Sequence, residues 1–182
     1  QVAALSDTQA QNLSTSQVSA LTAKQLGAID SQDLQALTTD QIGALSADQL
    51  SGLTTLQVKQ LTSSQMSGLT AAQLGKLSSA QINALDDNDL KQLSTAQVGA
   101  LGAATFSGAT TAKIAAIETN QIAGLTVSQI KAMTTDQVKA LTSAQFAQLN
   151  ETQLAAFSSA QISALETVDL SKLSSSQLGS FN

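Results

Sequence analysis

Cysteine, histidine, arginine, tryptophan, tyrosine and proline are all missing from the 182 residues, and four phenylalanines supply the entire aromatic content. Each absence removes a class of chemistry. Without Cys there is no disulfide and no thiolate nucleophile; without His there is no imidazole base, so neither an ordinary catalytic triad nor a soft-metal site can be assembled. Eight basic residues, all lysine, stand against 13 acidic ones, a net charge of −5. A nucleic-acid binder needs a basic stripe, often with Arg or stacking aromatics, so no nucleic-acid partner is expected. No apolar run approaches the roughly 18 residues of a membrane span, and no signal-peptide pattern is visible. The expectation is a protein that is not an enzyme and uses no cofactor.

What is present is a repeat. The stretch TTDQVKALTSAQFAQL, residues 134 to 149, is one eight-residue phrase written twice. The register runs without insertion or deletion over the 176 residues from Ser6 to Phe181, which at eight apiece make 22 octads. Octad 1 starts at Ser6, and positions are numbered 1 to 8 within each. Position 1 is Ser or Thr in 16 octads, position 4 is Gln in 17, position 5 is apolar in all, and position 8 is Leu in 16. Position 7 is Ala or Gly in 15, whereas positions 2 and 3 vary among Ser, Thr, Ala and Asp. The consensus is [ST]-x-x-Q-φ-x-[AG]-L.

Apolar residues three apart share a helix face but fall on opposite faces of a strand, so a strand reading fails. One continuous helix fails too, because eight residues at about 100° each turn the apolar stripe by roughly 80° per octad. The polar positions predict a helix restarted in every octad. Ser or Thr followed three residues later by Gln is a capping box: Thr134 with Gln137, and Thr142 with Gln145. The Leu before the cap and the residue at position 5 form a hydrophobic staple, so Val138, Leu141, Phe146 and Leu149 are assigned to the core. Helices this short are unstable alone and must stack on their neighbours. The fold expected is an all-α, elongated repeat solenoid of about 22 capped octapeptide units, treated as one array over 1–182. Two or three octads per superhelical coil are expected, with a small position 7 permitting close approach.

Both ends cut through ordinary repeats: Gln1, Val2 and Leu5 occupy positions 4, 5 and 8 of a partial octad, and Asn182 opens another. A natural solenoid usually closes with atypical capping repeats, so a fragment of a longer array, with flanking repeats or domains of the same chain, is expected.

One octad departs from the pattern. In GAATFSGA, residues 102–109, Gly102 replaces the cap, Thr105 the Gln and Ala109 the Leu, with Phe106 at position 5 and Gly108 at position 7. Two readings stand: drift with core repacking, Phe106 filling what Ala109 leaves empty, or a hinge favoured by the lost cap and added glycines. Acidic pairs fall on positions 1 and 4 at Asp30 and Asp33, Asp86 and Asp89, and Glu166 and Asp169. Acidic capping explains them through the helix dipole; Asp86, Asp87 and Asp89 are weak Ca²⁺ candidates, although the EF-hand loop is not matched. Lys59, Lys91, Lys131 and Lys139 share position 6 and read as a solvated face.

LTTDQIGALSADQL (37–50) and LTSSQMSGLTAAQL (61–74) resemble the L-[ST]-x-x-Q-φ repeats of very large secreted or surface-exposed, adhesin-like bacterial proteins. That resemblance implies a stalk-like array in an extracellular or cell-surface bacterial setting. A shorter similarity is to the LTxxQ motif of periplasmic stress chaperones, which carry one or two copies in long helices. The leading functional expectation is a structural spacer. A protein- or glycan-binding solenoid is the alternative, and an ice-binding surface of ranked Thr hydroxyls a weaker one.

Overall fold

The computed structural model describes residues 6–181. Gln1, Val2, Leu5 and Asn182, assigned above to partial octads, lie outside them. The chain divides into two units, Gln1–Leu93 and Ser94–Asn182, and the division falls on an octad boundary.

Among the described residues every octad builds one element and there is no strand: 21 α-helices of four to six residues and one 3₁₀ turn, Ile122–Gly124, in octad 15. Octad 5 shows how eight letters make a helix and a corner. Thr38 is extended (φ −70°, ψ 161°) and caps Thr39–Gly43, whose first bond runs from the Ile42 N–H to the Thr38 carbonyl at 3.0 Å. The Leu45 N–H then donates to the Ile42 carbonyl at 3.2 Å, tightening the last turn, and the next cap begins. In octad 7 the corner is Leu61 (φ −59°, ψ 137°) followed by the extended Thr62 (φ −74°, ψ 156°). No described residue has a positive φ, so the corner needs no left-handed glycine. That is why no octad position is reserved for Gly.

The corners wind the octads of each unit into coils. In the first unit the helix of octad 1 packs on that of octad 4, and octad 4 on octad 7; in the second, octad 16 packs on octad 19 and octad 19 on octad 22. Hydrogen bonds from the position-4 glutamine amides to the preceding coil span 28 to 31 residues, and van der Waals approaches 25 to 29. A separation of 28 residues is 28/8 = 3.5 octads. The expectation of two or three octads per coil is therefore corrected to between three and four. Each octad straddles two octads of the coil before it, laid like a brick across a joint. The capping chemistry of one octad does not encode the summed corner angle, which is why the number was out of reach.

Positions 5 and 8 line the interior, as at Ile42, Leu45, Leu50 and Leu53 in the first unit and Ile130, Met133, Val138 and Leu141 in the second, all buried. Each such side chain contributes about 1.5–3 kcal/mol before chain entropy. Phe157 joins two coils of the second unit through its ring, 5.8 Å from that of Phe146 and 6.5 Å from that of Phe181.

Position 7 is small because it meets the preceding coil. A Cβ on Gly124 would stand 2.2 Å from the Thr95 carbonyl oxygen, and one on Gly99 would stand 2.5 Å from the Gly124 carbonyl oxygen. Thr95 is at position 2 and Gly99 at position 6 of octad 12, so position 7 of octad 15 lands on both. Gly52 over Ala23 and Gly68 over Thr39 repeat the contact in the first unit. Where both partners are long they bond instead: Gln35 Nε2 donates to Gln60 Oε1 at 2.8 Å.

Two glycines test this account. Gly43→Ala meets nothing closer than the Gly68 carbonyl oxygen at 3.8 Å and should leave stability unchanged or raise it by about 0.5–1 kcal/mol. Gly124→Ala forces its methyl onto backbone and should cost about 1–3 kcal/mol. Urea unfolding of both variants measures the contrast, and equal effects would refute the close-approach role.

Candidate functional site

The repeated polar constellation is the one arrangement that recurs throughout the molecule, and it is built from positions 1 and 4. In octad 17, the Thr134 Oγ1 accepts from the Gln137 N–H at 3.2 Å, and the Thr134 N–H donates to Gln137 Oε1 at 2.8 Å. Octad 18 repeats this with Thr142 and Gln145, at 3.3 and 2.6 Å. Val138, Leu141, Phe146 and Leu149 are all buried beneath these caps.

The other end of the Gln amide does something the sequence reading did not foresee. Gln137 Nε2 donates to the carbonyl oxygens of Phe106 (3.0 Å), Ser107 (3.1 Å) and Ala109 (2.7 Å), its two hydrogens shared among three acceptors. Gln145 Nε2 reaches Ala115 and Ile117 in the same way. These acceptors lie at the end of the helix four octads earlier, where the Phe106 carbonyl already takes the Ala109 N–H at 3.1 Å and the carbonyls after it have no intrahelical partner. One amide thus caps the N-terminus of its own helix and the C-terminus of another. The tie recurs at Gln41, Gln49, Gln57, Gln65, Gln73 and Gln81 in the first unit and at Gln129, Gln153, Gln161 and Gln177 in the second. Gln9, Gln17 and Gln25, with no described octad four repeats before them, keep their capping bonds yet stand exposed. Burial of the amide therefore goes with the tie and not with the cap. A signal for it exists in the sequence: a capping box accepts Glu as readily as Gln, but position 4 is never Glu. Glutamate has no N–H to give a buried carbonyl, and its charge is costly to bury.

Aspartate at position 4 follows a different rule. Asp89 and Asp169 are buried and accept from the hydroxyls of Ser63 and Ser143 at 2.8 and 2.9 Å, 26 residues back. Asp169 also accepts from the Glu166 N–H at 3.3 Å. A carboxylate only accepts, so it turns from the carbonyls four octads earlier to the position-2 hydroxyl three octads earlier. Asp33 finds Asp7 at that place. Burial first, then the hydrogen bond and charge of Asp7 and the charge of Asp30, hold the Asp33 carboxyl above the usual carboxylate range.

The weak Ca²⁺ candidates do not converge: Asp89 turns inward to Ser63, while Asp86 and Asp87 stay at the surface. Among the described residues no group of three or more His, Cys, Asp or Glu is placed to hold a metal ion. Octad 13 keeps its helix, Ala103–Ser107, although Gly102 gives no side-chain cap. Phe106 and Ala109 are buried, Gly108 is exposed, and Gln137 ties the octad in like any other. The position-6 lysines are exposed. Lys76 pairs with Asp48 at 3.4 Å, both largely in solvent, an arrangement worth little. A wide-open depression of about 670 Å³ is lined by Leu149, Asn150, Glu151, Thr152 and Gln177. Three of its polar groups are engaged within the chain: Asn150 accepts from the Gln153 N–H, Glu151 accepts from Ser176, and Gln177 donates to the Leu149 carbonyl. No helix among the described residues is long and apolar enough to cross a membrane.

The family model of the ALTTAQ repeat matches residues 26–63 and 114–151. Both stretches begin at octad position 5 and end at position 2, one in each unit, so they are similar to that repeat in a single register. They support placing the chain among repeat families. No curated protein matches the chain.

Two sets of variants follow. Thr134→Ala removes a cap and should cost about 1 kcal/mol. Gln137→Ala also strands the buried carbonyl of Ala109 and should cost about 2–4 kcal/mol in urea unfolding; equal losses would show that the tie adds nothing. For Asp33, the folded chain holds a proton the unfolded chain has released. Its contribution is best below the ordinary Asp value of about 4, falls as pH rises through the raised value and is level above it. Asp7→Ser recreates the pairing of Ser63 with Asp89, removes the acidic neighbour while leaving the burial, and should weaken this dependence; an unchanged profile would show that Asp7 has no part in it.

Proposed function

We propose that this chain is a non-enzymatic structural spacer, a segment of a bacterial cell-surface or secreted protein that holds other parts of that protein apart. The observation that carries the reading is the engagement of the repeat's own polar chemistry. The position-1 hydroxyls accept from backbone N–H groups, the buried position-4 amides such as Gln137 bond at both ends, and no buried side-chain nitrogen or oxygen among the described residues lacks a partner. Function has to be argued from sites, and here the residues able to form one build the scaffold instead. The resemblance of residues 37–50 and 61–74 to repeats of large surface and secreted bacterial proteins supports the setting. Neighbour-only contacts favour indefinite extension, because each octad needs only the coil before and after it.

A binding role would place varied, often aromatic or arginine-rich residues on one face. The exposed large apolar side chains are instead four scattered residues, Leu56, Val127, Val168 and Leu178.

A spacer must lengthen with its repeat number. Inserting seven octads, two coils' worth at 28 residues each, should raise the maximum dimension in small-angle scattering by about 16–20 Å if successive coils pack at the usual 8–10 Å between helices. A particle that swells without lengthening would sink the spacer reading. Saturable capture of a defined glycan or protein by the immobilised chain would favour the binding one.

A further inference from the structure

Resting on the spacer reading, we infer that each unit is a stepwise tether, which under tension pays out chain one coil at a time and rewinds when the tension is released. Three features of the structure lead there. The amide ties run between successive coils, from Gln65 to Leu37 and from Gln73 to Leu45, each across 28 residues. Tension along the coil axis is therefore carried in series by the ties between successive coils, and the interface that yields first releases its own coil while the ties on either side stay closed. The helices are four to six residues long, so none spans two coils to share the load. There is also no cysteine to cross-link them.

Helix capping is contained within each octad, across three residues, as at Thr134 and Gln137, so a newly uncovered coil keeps its caps and hands its amides to water. Because octads repeat the same bonds, each release resembles the last, and no single rupture frees the unit. Rewinding needs contacts only about 28 residues apart along the chain, a short loop to close, which favours rapid recovery.

The test is a pull-and-relax cycle on the full 182-residue chain held by its two ends in an optical trap. Extension should rise in successive steps of roughly 100 Å, the length of 28 residues at about 3.6 Å each, and retrace on relaxation. Gln65→Ala and Gln137→Ala, one in each unit, should each lower the force of one step and leave the rest in place, while Lys59→Ala at the surface leaves all steps unchanged. Release of a whole unit in one event, or Gln65→Ala and Gln137→Ala traces identical to the parent, would overturn the tether. Neither result bears on whether length grows with repeat number, so the spacer reading stands or falls separately in scattering.

Discussion

A glutamine amide has an acceptor at one end and a donor at the other, and the architecture depends on using both. Oε1 takes the backbone N–H that opens its own helix, and Nε2 supplies the carbonyls that close a helix one coil earlier. Short helices are dominated by their ends, since most of their backbone groups are the unpaired ones of the first and last turns. An octad has little else. A side chain that satisfies two ends at once lets a helix of four to six residues persist where nucleation alone would forbid it.

The apolar pairing is subordinate to that arrangement. Positions 5 and 8 vary among Val, Ile, Leu, Met, Phe and Ala and are buried in most octads, because they fill an interior whose volume is shared between neighbours. The Phe106 and Ala109 pair shows the same tolerance: octad 13 loses its cap, its Gln and its Leu, yet keeps a helix that Gln137 engages through three carbonyls. The tie is held in place by the receiving backbone, so a deviant octad can still be gripped from the coil that follows. Close approach is stricter. At Gly124 the obstacle is the Thr95 carbonyl, and backbone cannot repack.

Substitutions at position 4 follow from hydrogen-bond polarity. Asp89 and Asp169 cannot donate, and each accepts from a serine hydroxyl three octads earlier. Asp33 meets Asp7 instead, and burial together with that acidic neighbour holds its carboxyl above the usual range. Clusters that read in sequence as acidic caps or weak cation sites thus contain buried acceptors with designated hydroxyl partners. The hydroxyl lies 26 residues away, and no local pattern points to it.

The sequence by itself determined the local element. Period, helix start, cap partner and core positions all follow from chemistry contained within eight residues, as Thr134, Gln137, Val138 and Leu141 illustrate. Only the tertiary structure decided how many octads close a coil and what the second end of Gln137 holds. A coil closes through corner torsions that add up over three and a half octads, so errors invisible in one repeat fix the partner 28 residues away. The identity of the carbonyls under an amide is a property of that closure and not of the phrase that carries the amide.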